Sequence, residues 1–198
     1  MDFKIVFLGP SNAGKTSIIE RFCSNVFNFD TLSTIGAQFF TKSIEVNNEL
    51  VNLYIWDTAG DERFESMQTS YIRGANGLVL AYDLANPNYN NLKKMLQLFR
   101  DEVKAELPEK LPVMVLGNKL DLITDENEKQ TLLQQVIEFC NETGLTLHEF
   151  VSAKDDININ ESFVKITQQL VQQHQTSTAP TIRLSQDQRQ VRKKNDCC

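Results

Sequence analysis

The chain has no run of about 18 apolar residues, so no segment is long enough to cross a bilayer as a helix. Basic charge is also scarce, with 20 Lys and Arg against 26 Asp and Glu and a net charge of −6. That balance argues against a nucleic-acid binder, which needs a clustered basic face. There are four cysteines, and two of them, Cys197 and Cys198, are the last two residues. Neither a disulfide framework nor a metal site has that spacing. The two histidines, His148 and His174, have no partner signature and read as structural. Internal repeats are absent, and Met1-Asp2-Phe3-Lys4 leads into a strand-like segment with no signal-peptide pattern. The chain is therefore expected to be cytoplasmic and, at 198 residues, to form one domain plus a tail.

The apolar pattern supplies the architecture. Phe3 to Leu8, Leu78 to Tyr82, Val113 to Leu116 and Leu147 to Val151 are short apolar runs without alternation, as strands buried on both faces require. Ala37 to Val46 and Leu50 to Trp56 alternate better around Asn47-Asn48-Glu49, which predicts an antiparallel hairpin at one edge. Helices are predicted over Lys15 to Ser24, Leu92 to Glu106, Glu126 to Thr143 and Asn160 to Gln173, with Gly144 stopping the third. The expectation is a doubly wound, mostly parallel six-stranded α/β sheet with one antiparallel edge strand and helices on both faces. The domain should span residues 1–174. A flexible tail, 175–198, should follow where apolar periodicity gives way to Gln, Ser, Thr and Arg.

Between the first strand and first helix lies Gly9-Pro10-Ser11-Asn12-Ala13-Gly14-Lys15-Thr16, followed by Ser17. Two glycines let backbone N–H groups turn inward, and the helix N-terminus adds partial positive charge, so the segment suits a triphosphate. Lys15 would reach the β- and γ-phosphates, and the Thr16 hydroxyl would take one position on Mg²⁺. The segment resembles the phosphate-binding loop of P-loop NTPases, the fold class expected here. About forty residues on, a strand delivers Asp57-Thr58-Ala59-Gly60, where Asp57 would hold Mg²⁺ from the side opposite Thr16 and Gly60 would offer a backbone N–H to a γ-phosphate.

Asn118-Lys119-Leu120-Asp121 follows the fifth strand. Guanine presents a ring N–H and an amino group side by side, and the Asp121 carboxylate can accept both; adenine lacks that pair. Such charge-assisted bonds contribute about 1.5 to 3 kcal/mol each, enough to select GTP over ATP. Lys119 would lay its stem over the base, and Asn118 would tie the two loops. After the last strand come Ser152, Ala153 and Lys154, where the Ala153 N–H would meet the guanine oxygen and Lys154 would flank the ring.

In this order and spacing, GPSNAGKT, DTAG, NKLD and SAK resemble the small Ras-like GTPases over residues 3 to about 174. Ser33-Thr34-Ile35-Gly36-Ala37-Gln38-Phe39, Trp56 to Gly60, Glu62-Arg63-Phe64 and Tyr71-Ile72-Arg73-Gly74-Ala75 are most similar to the Rab family. The resemblance implies that Thr34 is the switch I threonine, a Mg²⁺ ligand while the γ-phosphate is present, and that Phe27 packs edge-on against guanine. It also implies that Phe39, Trp56 and Tyr71 form an aromatic triad facing effectors; the plainer reading makes them core aromatics. Expected partners are effectors, an exchange factor, a GTPase-activating protein, a GDP dissociation inhibitor, an escort protein, a geranylgeranyl transferase and a membrane, with no nucleic acid and a monomeric protein.

The tail resembles Rab tails that carry two prenyl groups, one on each of Cys197 and Cys198. Two chains anchor stably where one is marginal, and the tail's five basic and two acidic residues suit an anionic leaflet. Such a protein cycles between the cytoplasm and the cytoplasmic face of an endomembrane or vesicle, in vesicle-mediated transport.

One departure concerns hydrolysis. Relatives carry Gln after the DTAG glycine to orient water, whereas this chain has Asp61. Aspartate is shorter, has no amide to donate, and places negative charge near a γ-phosphate that is gaining it. Slow unaided hydrolysis is expected, with Lys15, Thr34 and Gly60 still in place. Rab-directed activating proteins supply both an arginine and a glutamine, so assisted hydrolysis can survive; the alternative is a constitutively GTP-bound platform for effectors. A P-loop kinase is a third reading, opposed by Asn118 to Asp121 and by the terminal cysteines. Pro10 and Asn12 depart more mildly, by a lost N–H and added bulk, and nucleotide binding is expected to tolerate both.

Overall fold

A computed structural model of the chain describes residues 1–29, 32–60, 65–103 and 111–178. Six strands and five helices occur in the order β1 (Asp2–Leu8), α1 (Lys15–Ser24), β2 (Ala37–Val46), β3 (Glu49–Thr58), α2 (Glu65–Ile72), β4 (Gly77–Asp83), α3 (Tyr89–Val103), β5 (Val113–Asn118), α4 (Glu126–Thr143), β6 (Leu147–Phe150) and α5 (Ile159–Thr178). The sheet order is β2-β3-β1-β4-β5-β6. Among the strands of the described residues, only the β2–β3 pairing is antiparallel; β1 pairs in parallel with β3 and β4, β4 with β5, and β5 with β6.

Strand β1 shows why the sequence does not alternate in polarity. Phe3, Ile5 and Phe7 face a layer built with Ile18, Ile19 and Phe22 of α1 and Phe163, Ile166 and Leu170 of α5. Val6 and Leu8 face the opposite layer, with Ile72 of α2, Leu92, Leu96 and Phe99 of α3, and Leu132, Val136 and Phe139 of α4. Its fully covered stretch, Ile5 to Leu8, is apolar at every position, while Asp2 and Lys4 near the strand's start keep contact with solvent. The sheet is doubly wound, as expected.

Local signals explain the boundaries. The β2–β3 turn is Asn47-Asn48, with φ of 53° and 63°, and asparagine tolerates this left-handed pair better than most residues. Helix α4 starts at Asp125, whose side chain accepts the Asn127 N–H, and stops at Gly144, with φ of 71°. Three features differ from the sequence-based expectation. Helix α2 was not expected, α3 starts at Tyr89 rather than Leu92, and α5 continues to Thr178 rather than Gln173. The early start of α3 is explained by Asn88, whose Oδ1 accepts the Asn91 N–H at 3.1 Å.

Candidate functional site

Because five strands run parallel, their carboxyl ends share one rim of the sheet, where ligands of open α/β folds bind. A cleft of about 750 Å³ lies there. Ser11, Asn12, Gly14, Lys15, Thr16 and Ser17 line it from the phosphate-type loop and α1; Phe27, Phe29, Leu32, Ser33, Thr34 and Ile35 line it from the segment before β2. Gly60, Asn118, Lys119, Asp121, Leu122, Ala153 and Lys154 complete the wall. Of the other candidates, Ala13, Asp57 and Ser152 lie just behind it, at no more than 1% exposure.

The loop after β1 wraps Lys15. Its Nζ donates to the Gly9 and Pro10 carbonyls at 2.9 and 3.1 Å. Burial lowers its pKa from 10.5 to about 8, partly offset by the Asp57 charge. Gly14 precedes α1 with φ of 80°, and a Cβ there would sit 2.3 Å from Asn118 Nδ2. A Cβ on Gly60 would lie 2.4 Å from the Ser11 nitrogen and 2.6 Å from Lys15 Nζ. Only glycine permits both approaches.

Thr16, Thr34 and Asp57 converge. Thr16 Oγ1 donates to Asp57 Oδ2 at 2.6 Å, Thr34 Oγ1 lies 3.3 Å from the same oxygen, and the two hydroxyls are 3.0 Å apart. Asp57 is fully buried and its Oδ1 has no hydrogen-bond partner among the described residues. Burial raises its pKa, countered in part by the Thr16 hydrogen bond and the Lys15 charge.

At the other end of the cleft, Asn118 joins three segments. Its Nδ2 donates to the Ala13 carbonyl at 3.0 Å, and its Oδ1 accepts the Ala153 N–H at 3.2 Å. The tie to the first loop matches expectation. The Ala153 N–H, expected to face a guanine oxygen, is engaged by Asn118 and would have to be shared. Ser152 Oγ donates to Asp121 Oδ1 at 2.7 Å, with Lys154 Nζ 3.8 Å from Asp121 Oδ2. Phe27 packs edge-on against Phe29, with ring centroids 5.1 Å apart.

Beside the cleft, Phe39 of β2, Trp56 of β3 and Tyr71 of α2 form a continuous row. Centroids are 5.3 Å apart for Phe39 and Trp56 and 5.5 Å for Trp56 and Tyr71. Phe39 is 53% exposed, whereas Trp56 is partly buried and packs against the core. Asp61, Cys197 and Cys198 lie outside the described residues.

Asn28, Phe29, Leu32 and Leu122 of the lining were not anticipated, nor were two residues that brace the site. Asp83, the last residue of β4, pairs with Lys119. Arg21, at the end of α1, donates to the Ala153 and Lys154 carbonyls at 2.8 and 3.0 Å and to Asn25. The signal for Asp83 was its place at a strand's carboxyl end; for Arg21, whose Ala153 and Lys154 partners are more than 130 residues away in sequence, no local signal pointed to the site.

Comparison with known proteins agrees with this geometry. The Ras family model matches residues 4–172. The Ras-related protein Rab-7b of Paramecium octaurelia is 35% identical, over 99% of this chain and 96% of the relative. The Ypt/Rab-type GTPase ypt7 of Schizosaccharomyces pombe is 37% identical, over 81% and 78% respectively. Ras-related protein RABG3b of Arabidopsis thaliana is also 37% identical, over 83% of this chain and 81% of its own length. The family match along nearly the whole domain, together with these relatives, places the chain in the Ras family as a Rab-type small GTPase.

Proposed function

We propose that the chain is a GTP/GDP switch of vesicle-mediated transport that recruits effectors to a membrane while GTP is bound and hydrolyses GTP slowly by itself. The observation that carries this reading is the seat of Thr34 on Thr16 and Asp57. The segment that brings Thr34 there also carries Leu32 and Ile35, which are 93% and 83% exposed, and runs directly into Phe39. Whatever holds Thr34 therefore sets the position of an exposed apolar surface. A γ-phosphate that engages Thr34 and the Gly60 N–H would hold that surface in place, and its loss would release it.

The residues fit a magnesium ion. The orphaned, buried Asp57 Oδ1 and the two threonine hydroxyls beside Oδ2 are hard oxygen donors of the kind Mg²⁺ prefers, and Thr16, Thr34 and Asp57 would hold it. When bound, the ion supplies positive charge to the phosphate oxygens. Lys15 would give up its bonds to Gly9 and Pro10 for the β- and γ-phosphates, whose negative charge favours the protonated amine that burial disfavours. Inward backbone N–H groups from Ser11 to Ser17 would bind the remaining oxygens. Asp121, braced by Ser152, would read the guanine edge, with Phe27, Lys119, Ala153 and Lys154 around the base.

Asp61 makes the unaided reaction slow, because nothing at that position donates to the attacking water. The off-step then falls to an activating protein, and reloading to an exchange factor. Cys197 and Cys198 are the prenylation sites, added by a geranylgeranyl transferase with an escort protein and masked by a GDP dissociation inhibitor when the protein is cytoplasmic.

Single-turnover GTP hydrolysis by wild type and Asp61→Gln, with and without a Rab-directed activating protein, tests this reading. The wild type should be slower alone and should accelerate when assisted. An unaided wild-type rate equal to or above that of Asp61→Gln would overturn the role given to Asp61. A wild type that stays slow even with assistance would favour the GTP-bound platform.

A further inference from the structure

Asp83 has two carboxylate oxygens and both are committed. Oδ1 accepts the Ala85 N–H at 3.0 Å, closing a turn within its own loop, and Oδ2 lies 2.7 Å from Lys119 Nζ. The pair straddles two neighbouring strands, with Asp83 beside Asn118 in the β4–β5 register and Lys119 the next residue along. The loops are further joined by the Leu84 N–H, which donates to the Asn118 carbonyl at 2.9 Å. Lys119 holds a left-handed backbone, φ 68°, and lines the cleft.

An exposed ion pair contributes little to stability, and these side chains remain 32% and 23% exposed. Its effect is geometric. A lysine stem is among the most rotamer-rich side chains, and one that must lie flat over a base loses that freedom on binding unless it has lost it already. The turn at Ala85 fixes the direction of the carboxylate, which in turn fixes the ammonium and stretches the stem along the cleft wall.

We propose that Asp83 is a positioning residue for guanine-nucleotide retention, holding the Lys119 stem in place over the base before the nucleotide arrives. This rests on the assignment of the Asn118 to Asp121 segment to the base. The carboxylate touches no part of the nucleotide and acts only through Lys119.

Release of GDP carrying a fluorescent ribose substituent, from the full chain with excess unlabelled GDP, is the test. Asp83→Asn retains an oxygen for the Ala85 N–H and removes only the charge that holds Lys119. It should release GDP about tenfold faster, the ratio equivalent to 1.4 kcal/mol, with no change in thermal midpoint beyond about 2 °C. In a Lys119→Met background the same substitution should add nothing, because the group it acts through is gone. Unchanged release in Asp83→Asn, or equal acceleration with and without Lys119, overturns the proposal while leaving the nucleotide site intact. A wild type that does not retain GDP removes both the site and the clamp.

Discussion

Gly14 carries more constraint than its size suggests. Its left-handed φ of 80° is unfavourable for any residue with a side chain, and a Cβ would collide with the Asn118 amide that bonds to both Ala13 and Ala153. Gly14→Ala should therefore loosen the phosphate and base ends together, and strain of about 1.4 kcal/mol or more would speed GDP release at least about tenfold. Stopped-flow release of labelled GDP checks this, and a wild-type rate would contradict it. Cys140 is a different case, a thiol buried in the layer under α4, whose pKa burial raises to about 11. In the folded protein at pH 8 only about one thiol in a thousand is ionised, so iodoacetamide should label Cys140 after unfolding and not before. The unfolded thiol ionises near pH 9, so between pH 9 and 11 the unfolded state binds fewer protons and this group's contribution to stability falls as pH rises. Peptide mapping at pH 8 and 10.5, with and without urea, reads both effects.

At the scale of elements, α1 joins the site to the core. Its first residues are Lys15 and Thr16, its last turn holds Arg21, and Phe22 stacks on Phe163 of α5 with centroids 3.6 Å apart. Phe22→Ala should cost about 3 to 5 kcal/mol by equilibrium urea unfolding, and a loss under about 1 kcal/mol would show that this contact is not a principal anchor of the helix. Elements with chemical punctuation were legible in the sequence. The Gly144 stop located the end of α4, and Asn47-Asn48 located the hairpin. Helix α2 was not legible, since Glu65–Ile72 has only Met67, Tyr71 and Ile72 as apolar residues and no full stripe. The last turn of α5, Gln175 to Thr178, was missed for the same reason: a polar run can extend a helix that is already anchored, but does not announce it. The site followed the same division. Lys15, Thr16, Asn118 and Asp121 sit in contiguous motifs whose chemistry identifies them, whereas Asp83 and Arg21 act through partners brought near by the fold.

Across the described residues, the order β2-β3-β1-β4-β5-β6 brings separate loops to one rim and places the antiparallel β2–β3 hairpin beside it. That hairpin carries Phe39 and Trp56, so the aromatic row and the Thr34 seat share one edge of the protein. Phe39 is exposed and, among the described residues, stacks on its neighbours Tyr54 and Trp56. Phe39→Ala should therefore weaken capture of GTP-dependent partners about tenfold or more, as loss of a buried aromatic anchor does, with GDP affinity unchanged. A pull-down with Mg²⁺-GTP protein against the GDP form measures this, and undiminished capture would exclude Phe39 from the partner surface.

Competition for fluorescent GDP on the purified protein in Mg²⁺ reads out whether the cleft selects guanine nucleotides. Two charge-assisted bonds to Asp121, at about 1.5 kcal/mol each, predict that GDP and GTP compete at least a hundredfold better than ATP. Equal competition by ATP, or no retention of GDP at all, would contradict the account.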